Sequence, residues 1–459
     1  MNANPFDPWY ESRLETKEIK SFMPDKWTYY TIESDAGQQE EVKADQLKPA
    51  EIDDWVLRRS LSKSSGVDIL LARHTIDGVR HRPHECIPFE VDHLKSIFKQ
   101  LSLPAQYFHI RTTSGIHCNG SMCRTHKDEA GNISQTTSVF RSGHGSITTA
   151  SSVWSAAMRW DASTGRTIAF IEGLFDEDRN DLELYINTCS KFLGHPLMLP
   201  EILLHMVTFR LNELLRIPCE EEFYRYEQQT GLSNLPYFSK ISHAAVYEWT
   251  LQDFQRATTV ANRSLTNMVF LRRRFQFTTQ YAEKLFSMLT EIKKSEFMNN
   301  EIAILIKKED DCRQRLSDRI LQSKIYEHQT ECVQKRIENL NTVLYTVLSQ
   351  INSKNQGELA KINLQIAQAV RSDSIPMRTI AYVTLVFLPG ALIASIFGMN
   401  FFEFDSASNT VVVASSFWKY WAITIPFTLL VVAVWNVWNW FEKRKEFAGL
   451  RDVILLRQE

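Results

Sequence analysis

The chain has 459 residues, which exceeds one ordinary domain and favours two or three structural units. Its 52 lysines and arginines nearly balance its 54 aspartates and glutamates, and a formal net charge of -2 provides no general attraction to nucleic acid. The seven cysteines are scattered and odd in number, so they favour a reducing compartment over a disulfide-stabilised secreted fold.

The first part of the chain, 1–240, mixes short β-rich runs with helical runs. Four runs are predicted as strands because they are rich in β-branched and aromatic residues and are separated by Gly, Asn and Pro. They are VDILLARH (67–74), QYFHIRTTS (106–114), QTTSVFR (135–141) and RTIAFIEG (166–173). A helix is predicted over 180–196, closing on Gly194 and Pro196. We therefore expect an α/β domain over 1–240.

Three segments of this part could bind ligands, and each has a simpler interpretation. HCNGSMCRTH contains the possible zinc ligands His117, Cys118, Cys123 and His126, but their spacing fits no structural zinc pattern and Asn119-Gly120 is typical of a turn. DEDRND (176–181) lacks the glycine and the final glutamate of a calcium loop, which favours a solvated acidic turn; it remains a candidate for an inner cation sensor. SGHGS (142–146) is a lone Gly-x-Gly without the rest of a phosphate loop.

The second part, 241–378, has a different composition. No proline occurs between Pro236 and Pro376, and long charged amphipathic patterns dominate. These patterns predict long helices or a coiled-coil bundle. We expect a helical stalk that connects the inner domain to a membrane, although a solvated helical spacer fits the same pattern.

Two apolar blocks near the C-terminus predict membrane spans. The first, 379–397, carries no charge and would extend about 28 Å as a helix, close to the thickness of a bilayer's hydrocarbon core. The second, 418–440, has Trp418, Tyr420 and Trp421 at one end and Trp435, Trp438 and Trp440 at the other, as expected where a span meets the two membrane surfaces. A pair of buried helices in a soluble core is the alternative.

Basic residues near the spans predict their orientation. Arg371 and Arg378 precede the first span, and three basic residues begin the tail over 441–459, whereas the loop over 398–417 contains neither Lys nor Arg. The positive-inside rule therefore places both termini in the cytoplasm. The first residues lack an apolar signal and contain acids that argue against a mitochondrial presequence, which favours the plasma membrane.

The first span ends in an unusual motif, because MRTIAYVTLVFLPGALIASIF is followed by Gly398, Met399 and Asn400 and then by a short acidic loop, a second span and a basic tail. This arrangement over about 355–445 resembles the CorA superfamily of divalent-cation channels, and most of all its divergent fungal members. The hallmark of that family is Gly-Met-Asn at the end of the first of two C-terminal spans. The resemblance implies a homopentamer in which the first span lines a pore with Asn400 at its mouth.

The chemistry of these residues suits a pore entrance. Mg²⁺ gives up its water reluctantly, so an amide such as Asn400 would bind the hydrated ion without holding it as tightly as a carboxylate. Gly398 can end the helix and turn the chain. Glu403 and Asp405 would raise the local cation concentration.

A seam of residues along the first span recurs at alternating steps of three and four. It consists of Ser374, Met377, Ala381, Thr384, Leu388, Ala391 and Ser395. By the resemblance these residues face the pore, with Met377 and Leu388 as hydrophobic constrictions. The same seam could instead only pack against neighbouring helices.

These observations predict a channel-like transporter of divalent cations, most simply Mg²⁺, in a lipid bilayer. No catalytic triad or nucleotide site is evident, so we expect neither an enzyme nor a cofactor other than the transported ion. Two alternatives remain: zinc transport by the same architecture, and a membrane-tethered scaffold that does not conduct.

Overall fold

The protein is mostly helical, with a sheet domain in its N-terminal part and two long apolar helices near its C-terminus. Its residues form two compact units, Met1–Leu348 and Ser349–Glu459, and each unit is described by itself. The computed structural model describes residues 7–16, 27–35, 42–74, 87–113, 119–142, 154–174, 176–230, 249–297, 300–308, 310–397, 402–405, 410–415 and 417–455.

A seven-stranded sheet organises the first unit. Its strands in chain order are β1 (Trp27–Asp35), β2 (Lys43–Leu47), β3 (Gly66–His74), β4 (Gly120–Lys127), β5 (Ile133–Ser142), β6 (Trp154–Asp161) and β7 (Arg166–Glu172). They lie in the order β2-β1-β3-β7-β6-β5-β4, and β3 and β7 form the parallel pair among otherwise antiparallel neighbours. The strands predicted at 67–74, 135–141 and 166–173 are confirmed as β3, β5 and β7.

One face of the sheet is covered by four short helices. They are α1 (Asp7–Thr16), α2 (Ile52–Ser60), α3 (Val91–Gln100) and α4 (Gln106–Thr113). Aromatic side chains fill the space between these helices and the sheet, and the ring of Phe98 lies 4.7 Å from that of Phe108 and 5.5 Å from that of Phe170. Burial of such large apolar groups is the main force that holds this layer on the sheet.

The strand predicted over 106–114 is wrong, because these residues form α4. Pro104 precedes the helix and its carbonyl accepts a hydrogen bond from the amide of Tyr107, which begins the first turn. Tyr107, Phe108 and Ile110 are buried in the aromatic core. A short apolar run suits a strand or a helix equally well, and packing against the sheet decides between them here.

Longer helices follow β7 along the chain. They are α5 (Asp176–Thr188), α6 (Met198–Arg210), α7 (Ile217–Gln229), α8 (Leu251–Lys294), α9 (Asn300–Lys308) and α10 (Asp310–Phe397), with a short turn of 3-10 helix at Ser190–Phe192 and π-helix at Leu211–Arg216. Helix α8 begins with a capping box formed by Thr250 and Asp253. It contacts the sheet where the hydroxyls of Tyr281 and Ser138 lie 3.0 Å apart. The long helices predicted after residue 241 are confirmed as α8 and α10.

Two local predictions in this part need correction. The helix predicted over 180–196 ends at Thr188, because the 3-10 turn at Ser190–Phe192 follows it, well before Gly194. The turn predicted at Asn119-Gly120 is absent, since Gly120 begins β4 and pairs with Arg141 of β5. In both places long-range pairing or packing outweighs the local signal.

The second unit contains the C-terminal part of α10, a small hairpin and α11 (Phe417–Leu455). The hairpin consists of β8 (Phe402–Asp405) and β9 (Thr410–Val413), which pair in antiparallel register from Phe402–Val413 to Asp405–Thr410. The sequence did not suggest strands in this loop.

Candidate functional site

The two apolar helices of the second unit have the length and composition of membrane spans. Pro376–Ile396 of α10 has a mean hydropathy of 2.0, and Phe417–Phe441 of α11 has a mean hydropathy of 1.7. Only 11% and 6% of these windows are buried within the chain. The core helix of a soluble protein would be mostly buried, so this exposure favours a lipid or protein environment that the single chain does not supply.

Helix α10 contacts α11 through one face. The rings of Tyr382 and Trp435 lie 4.8 Å apart, and the hydroxyl of Tyr420 donates a 3.2 Å hydrogen bond to the carbonyl of Gly390. A Cβ atom at Gly390 would lie 3.6 Å from that hydroxyl, which is an ordinary van der Waals contact. Ile393 is buried on the same face, with 5% of its surface exposed.

The predicted seam lies away from this contact. At about 100° per residue, the mean direction of the seam differs by about 165° from that of Tyr382, Gly390 and Ile393, which face α11. Met377 and Leu388 are 75% and 65% exposed. Ala381, Thr384, Ala391 and Ser395 are also exposed, and the side chain of Ser374 lies outside the described residues. The single chain therefore leaves most of the seam available to water or to another subunit.

Three local features mark the apolar part of α10. The hydroxyl of Thr384 donates to the carbonyl of Ile380 at 2.8 Å, so this side chain is bonded to its own helix. Pro389 lies within the helix and has no amide hydrogen to donate to the carbonyl of Leu385. It directly precedes Gly390, whose carbonyl accepts the hydrogen bond from Tyr420. Ala391 also borders a groove of about 580 Å³ between α10 and α11.

The predicted mouth is described only in part. Gly398, Met399 and Asn400 lie outside the described residues. Glu403 and Asp405 lie on β8, where they pair with Val412 and Thr410 of β9. Residues two apart on a strand share a face, so the hairpin places both acidic positions on one side.

Both ends of the second span carry aromatic residues. Trp418 and Trp421 near the start of α11 are at least half exposed, and so are Trp438 and Trp440 toward its other end. Arg444 lies 4.4 Å from the centre of the Trp440 ring. Exposed tryptophans beside a basic flank are typical of the boundary between a span and the aqueous phase.

The weaker sequence signals do not form a site in the described residues. His117 and Cys118 lie outside them. Cys123 is buried against Ser138, whereas His126 contacts Thr137. Because residues 123 and 126 are an odd number of positions apart on β4, their side chains point to opposite faces of the sheet and cannot share a metal ion. Among the described residues, no group of three or more metal-binding side chains is found.

The acidic segment 176–181 is not a turn, because it forms the start of α5. Three acidic residues in the first helical turn interact favourably with the helix dipole. Asp176 pairs with Arg73, and Arg210 pairs with the buried Asp178 and with Asp181. These carboxylates are engaged with arginines rather than arranged around a cation.

One group of polar residues on the sheet was not identified by the sequence analysis. Arg124 and Arg159 lie on the same face of the sheet, on either side of Thr137 in the neighbouring strand. They are 35 positions apart in the sequence and become neighbours only through strand pairing. The only local indication of this group in the sequence is that Arg124 and His126 are two residues apart on β4 and therefore share a face of the sheet.

Comparison with known proteins gives one partial match. No family model matches the chain. A segment of 94 residues is 39% identical to "Notoamide biosynthesis cluster protein M'" of Aspergillus versicolor, and this segment amounts to 19% of the chain and 21% of that protein. The chain thus spans about a fifth of the length of the curated relative that it matches.

Proposed function

We propose that this chain forms a channel for divalent cations in a membrane, with Mg²⁺ as the principal ion. The position of the seam is the observation that supports the proposal best. The residues from Met377 to Ser395 that the sequence selects by spacing are exposed on the side of α10 that α11 leaves uncovered. A helix that packs on α11 with one face and lines an aqueous path with another needs this arrangement.

An exposed apolar stripe on α10 before the span supports the same proposal. Helix α10 continues before the span with Leu359, Ile362, Ile366 and Val370, which recur at steps of three and four and are each at least half exposed. An apolar stripe of this kind favours association with further helices. Copies of the chain around a central axis, five by the CorA resemblance, would cover the stripe and enclose the seam.

The mouth of the proposed pore would be formed by Gly398, Met399 and Asn400, with Glu403 and Asp405 beside it. Asn400 would bind the hydrated ion through its carbonyl oxygen. The two carboxylates would concentrate cations near the entrance. Both termini would lie in the cytoplasm and the plasma membrane would be the site of action, so that the membrane potential drives cation entry.

The test is ion flux into liposomes that contain the purified protein. The wild type should admit Mg²⁺, and Asn400→Ala should lose this flux while still assembling. Asn409→Ala, in the same loop but outside the motif, is the matched control and should conduct normally. Entry of Zn²⁺ but not Mg²⁺ would favour zinc transport. Absence of flux for every divalent cation from a well-assembled wild type would favour a non-conducting scaffold.

A further inference from the structure

One face of the sheet changes from apolar to polar near its β4 edge. Three paired rows cross β4, β5 and β6 there. The first row, Met122–Val139–Ala157, belongs to the apolar core or packs against it. The next two rows are polar: Arg124–Thr137–Arg159 and His126–Gln135–Asp161. Directly paired residues share a face, so these six side chains form one surface beyond the core.

Two arginines of this surface lack a hydrogen-bond or ion-pair partner within the part of the chain that the structure describes. Neither the exposed Arg124 nor the half-buried Arg159 forms an ion pair or a hydrogen bond with the described residues. Burial lowers the pKa of Arg159, and Asp161 is the acidic group that acts on it from the same strand. The Asp161 carboxylate is itself engaged, since it accepts hydrogen bonds from the amide and hydroxyl of Ser163 at 2.9 and 2.6 Å.

Thr137 lies between the two arginines, and His126 lies beside Arg124 on β4. Thr137 is in the middle strand, and its hydroxyl is 3.1 Å from Nε2 of His126. Adjacent strands are about 4.8 Å apart, so the backbones of Arg124 and Arg159 are separated by about 9.6 Å. Two arginine side chains rooted at that distance can both reach a small anion above Thr137.

The donor set suits a phosphate group. A carboxylate has two oxygens, and the fork of one arginine occupies both. A phosphate presents three oxygens and carries nearly two negative charges at neutral pH, so it can accept both guanidinium forks and a hydroxyl or imidazole donor together. We propose that Arg124, His126, Thr137 and Arg159, here called the basic sheet surface, bind the phosphate group of a small ligand. This inference does not depend on ion conduction.

Equilibrium dialysis of the full-length protein against radiolabelled inorganic phosphate, at physiological salt, tests the proposal. We expect one saturable site per chain. Arg124→Gln and Arg159→Gln should each weaken binding at least about 10-fold, because each removes a charge-assisted hydrogen-bonding group. Arg58→Gln is the matched control, since Arg58 is an exposed arginine of α2 on another part of the surface, and it should bind as the wild type does.

Two additional measurements keep the result interpretable. Arg124→Lys and Arg159→Lys retain the charge but lose the planar fork, so weakened binding in correctly folded lysine variants would support a specific phosphate site. Glycerol 3-phosphate and vesicles of phosphatidic acid, used as competitors, distinguish a soluble ester from a lipid headgroup. The proposal is overturned if the wild type shows no saturable binding, or if the variants at Arg124 and Arg159 bind as well as Arg58→Gln.

Discussion

Replacement of Arg166 by methionine should strongly destabilise the first unit. Arg166 is 2% exposed, and its guanidinium donates to Asp68 at 2.7 Å, to Asp35 at 2.8 Å and to the backbone carbonyl of Ser64 at 2.8 Å. Asp68 is completely buried on β3, the parallel neighbour of β7. Arg166→Met removes the main counter-charge of Asp68 and retains similar apolar volume.

The expected loss follows from the buried carboxylate. Removing one partner of a buried ion pair typically costs about 3–5 kcal/mol, because the other charge remains desolvated. Arg59 lies 3.4 Å from Asp68 and retains part of the attraction, so we expect about 3 kcal/mol. This value corresponds to an approximately 150-fold shift in the unfolding equilibrium and, at about 2 °C per kcal/mol, to a lower Tm by about 6 °C.

Urea unfolding of the purified chain, followed by tryptophan fluorescence, measures the effect. The double variant Asp68→Leu, Arg166→Met is the informative control, since replacing both members of a buried pair by apolar groups is often nearly neutral. We expect it to recover at least about 2 kcal/mol of the loss. A single variant within about 0.5 kcal/mol of the wild type, or a double variant as unstable as the single, would refute the reasoning.

Three other predictions concern helix packing, pH and the acidic loop. Gly390→Ala should preserve assembly, because its Cβ would meet Tyr420 at an ordinary 3.6 Å, whereas Gly390→Leu should separate α10 from α11 and reduce the assembled fraction in gel filtration. Burial lowers the pKa of His195 from 6.5 to about 3, so below pH 6.5 the unfolded chain binds a proton that the folded chain does not. The contribution of His195 to the free energy of unfolding should therefore fall by about 2 kcal/mol between pH 7 and pH 5. His195→Asn should remove this part of the pH dependence in urea unfolding. Neutralising Glu403 and Asp405 together should reduce Mg²⁺ flux at low ionic strength and much less at high salt.

Different results would contradict these predictions. Equal assembly of the Ala and Leu variants at Gly390 would mean that close helix contact is unimportant. An unchanged pH slope in His195→Asn would assign acid sensitivity to other groups. A reduction of flux that does not depend on salt in the acidic-loop variant would indicate a direct binding role for the carboxylates.

Local patterns were sufficient for some elements and insufficient for others. β3, β5 and β7 were predictable because each is a long β-branched or apolar run with turn residues at its ends. The two apolar helices were predictable from composition alone. Residues 106–113 were mispredicted because their run is short enough to suit either periodicity, and the aromatic core under the sheet selects the helix.

Features that depend on strand or helix neighbours were beyond the sequence. The arginine pairing that occupies the acidic residues of α5 joins positions such as Asp178 and Arg210, which lie on different helices. The basic sheet surface likewise requires the order of β4, β5 and β6. In contrast, the seam on α10 could be proposed from the sequence, because residues that share a helix face are related by a fixed local spacing; its role remains a prediction.

Thiol accessibility along α10 tests the central claim most directly. None of the seven native cysteines lies beyond Cys332, so single cysteines can be introduced into the span without background there. Cysteines at Ala381, Thr384 and Leu388 sample the seam, while cysteines at Leu385 and Ile393 sample the side toward α11. If the seam lines an ion pathway, a charged membrane-impermeant thiol reagent should modify the seam positions and block Mg²⁺ flux, and should leave the other two positions conducting. The account would be contradicted if the reagent blocked Mg²⁺ flux in neither group of cysteine variants, or equally in both groups.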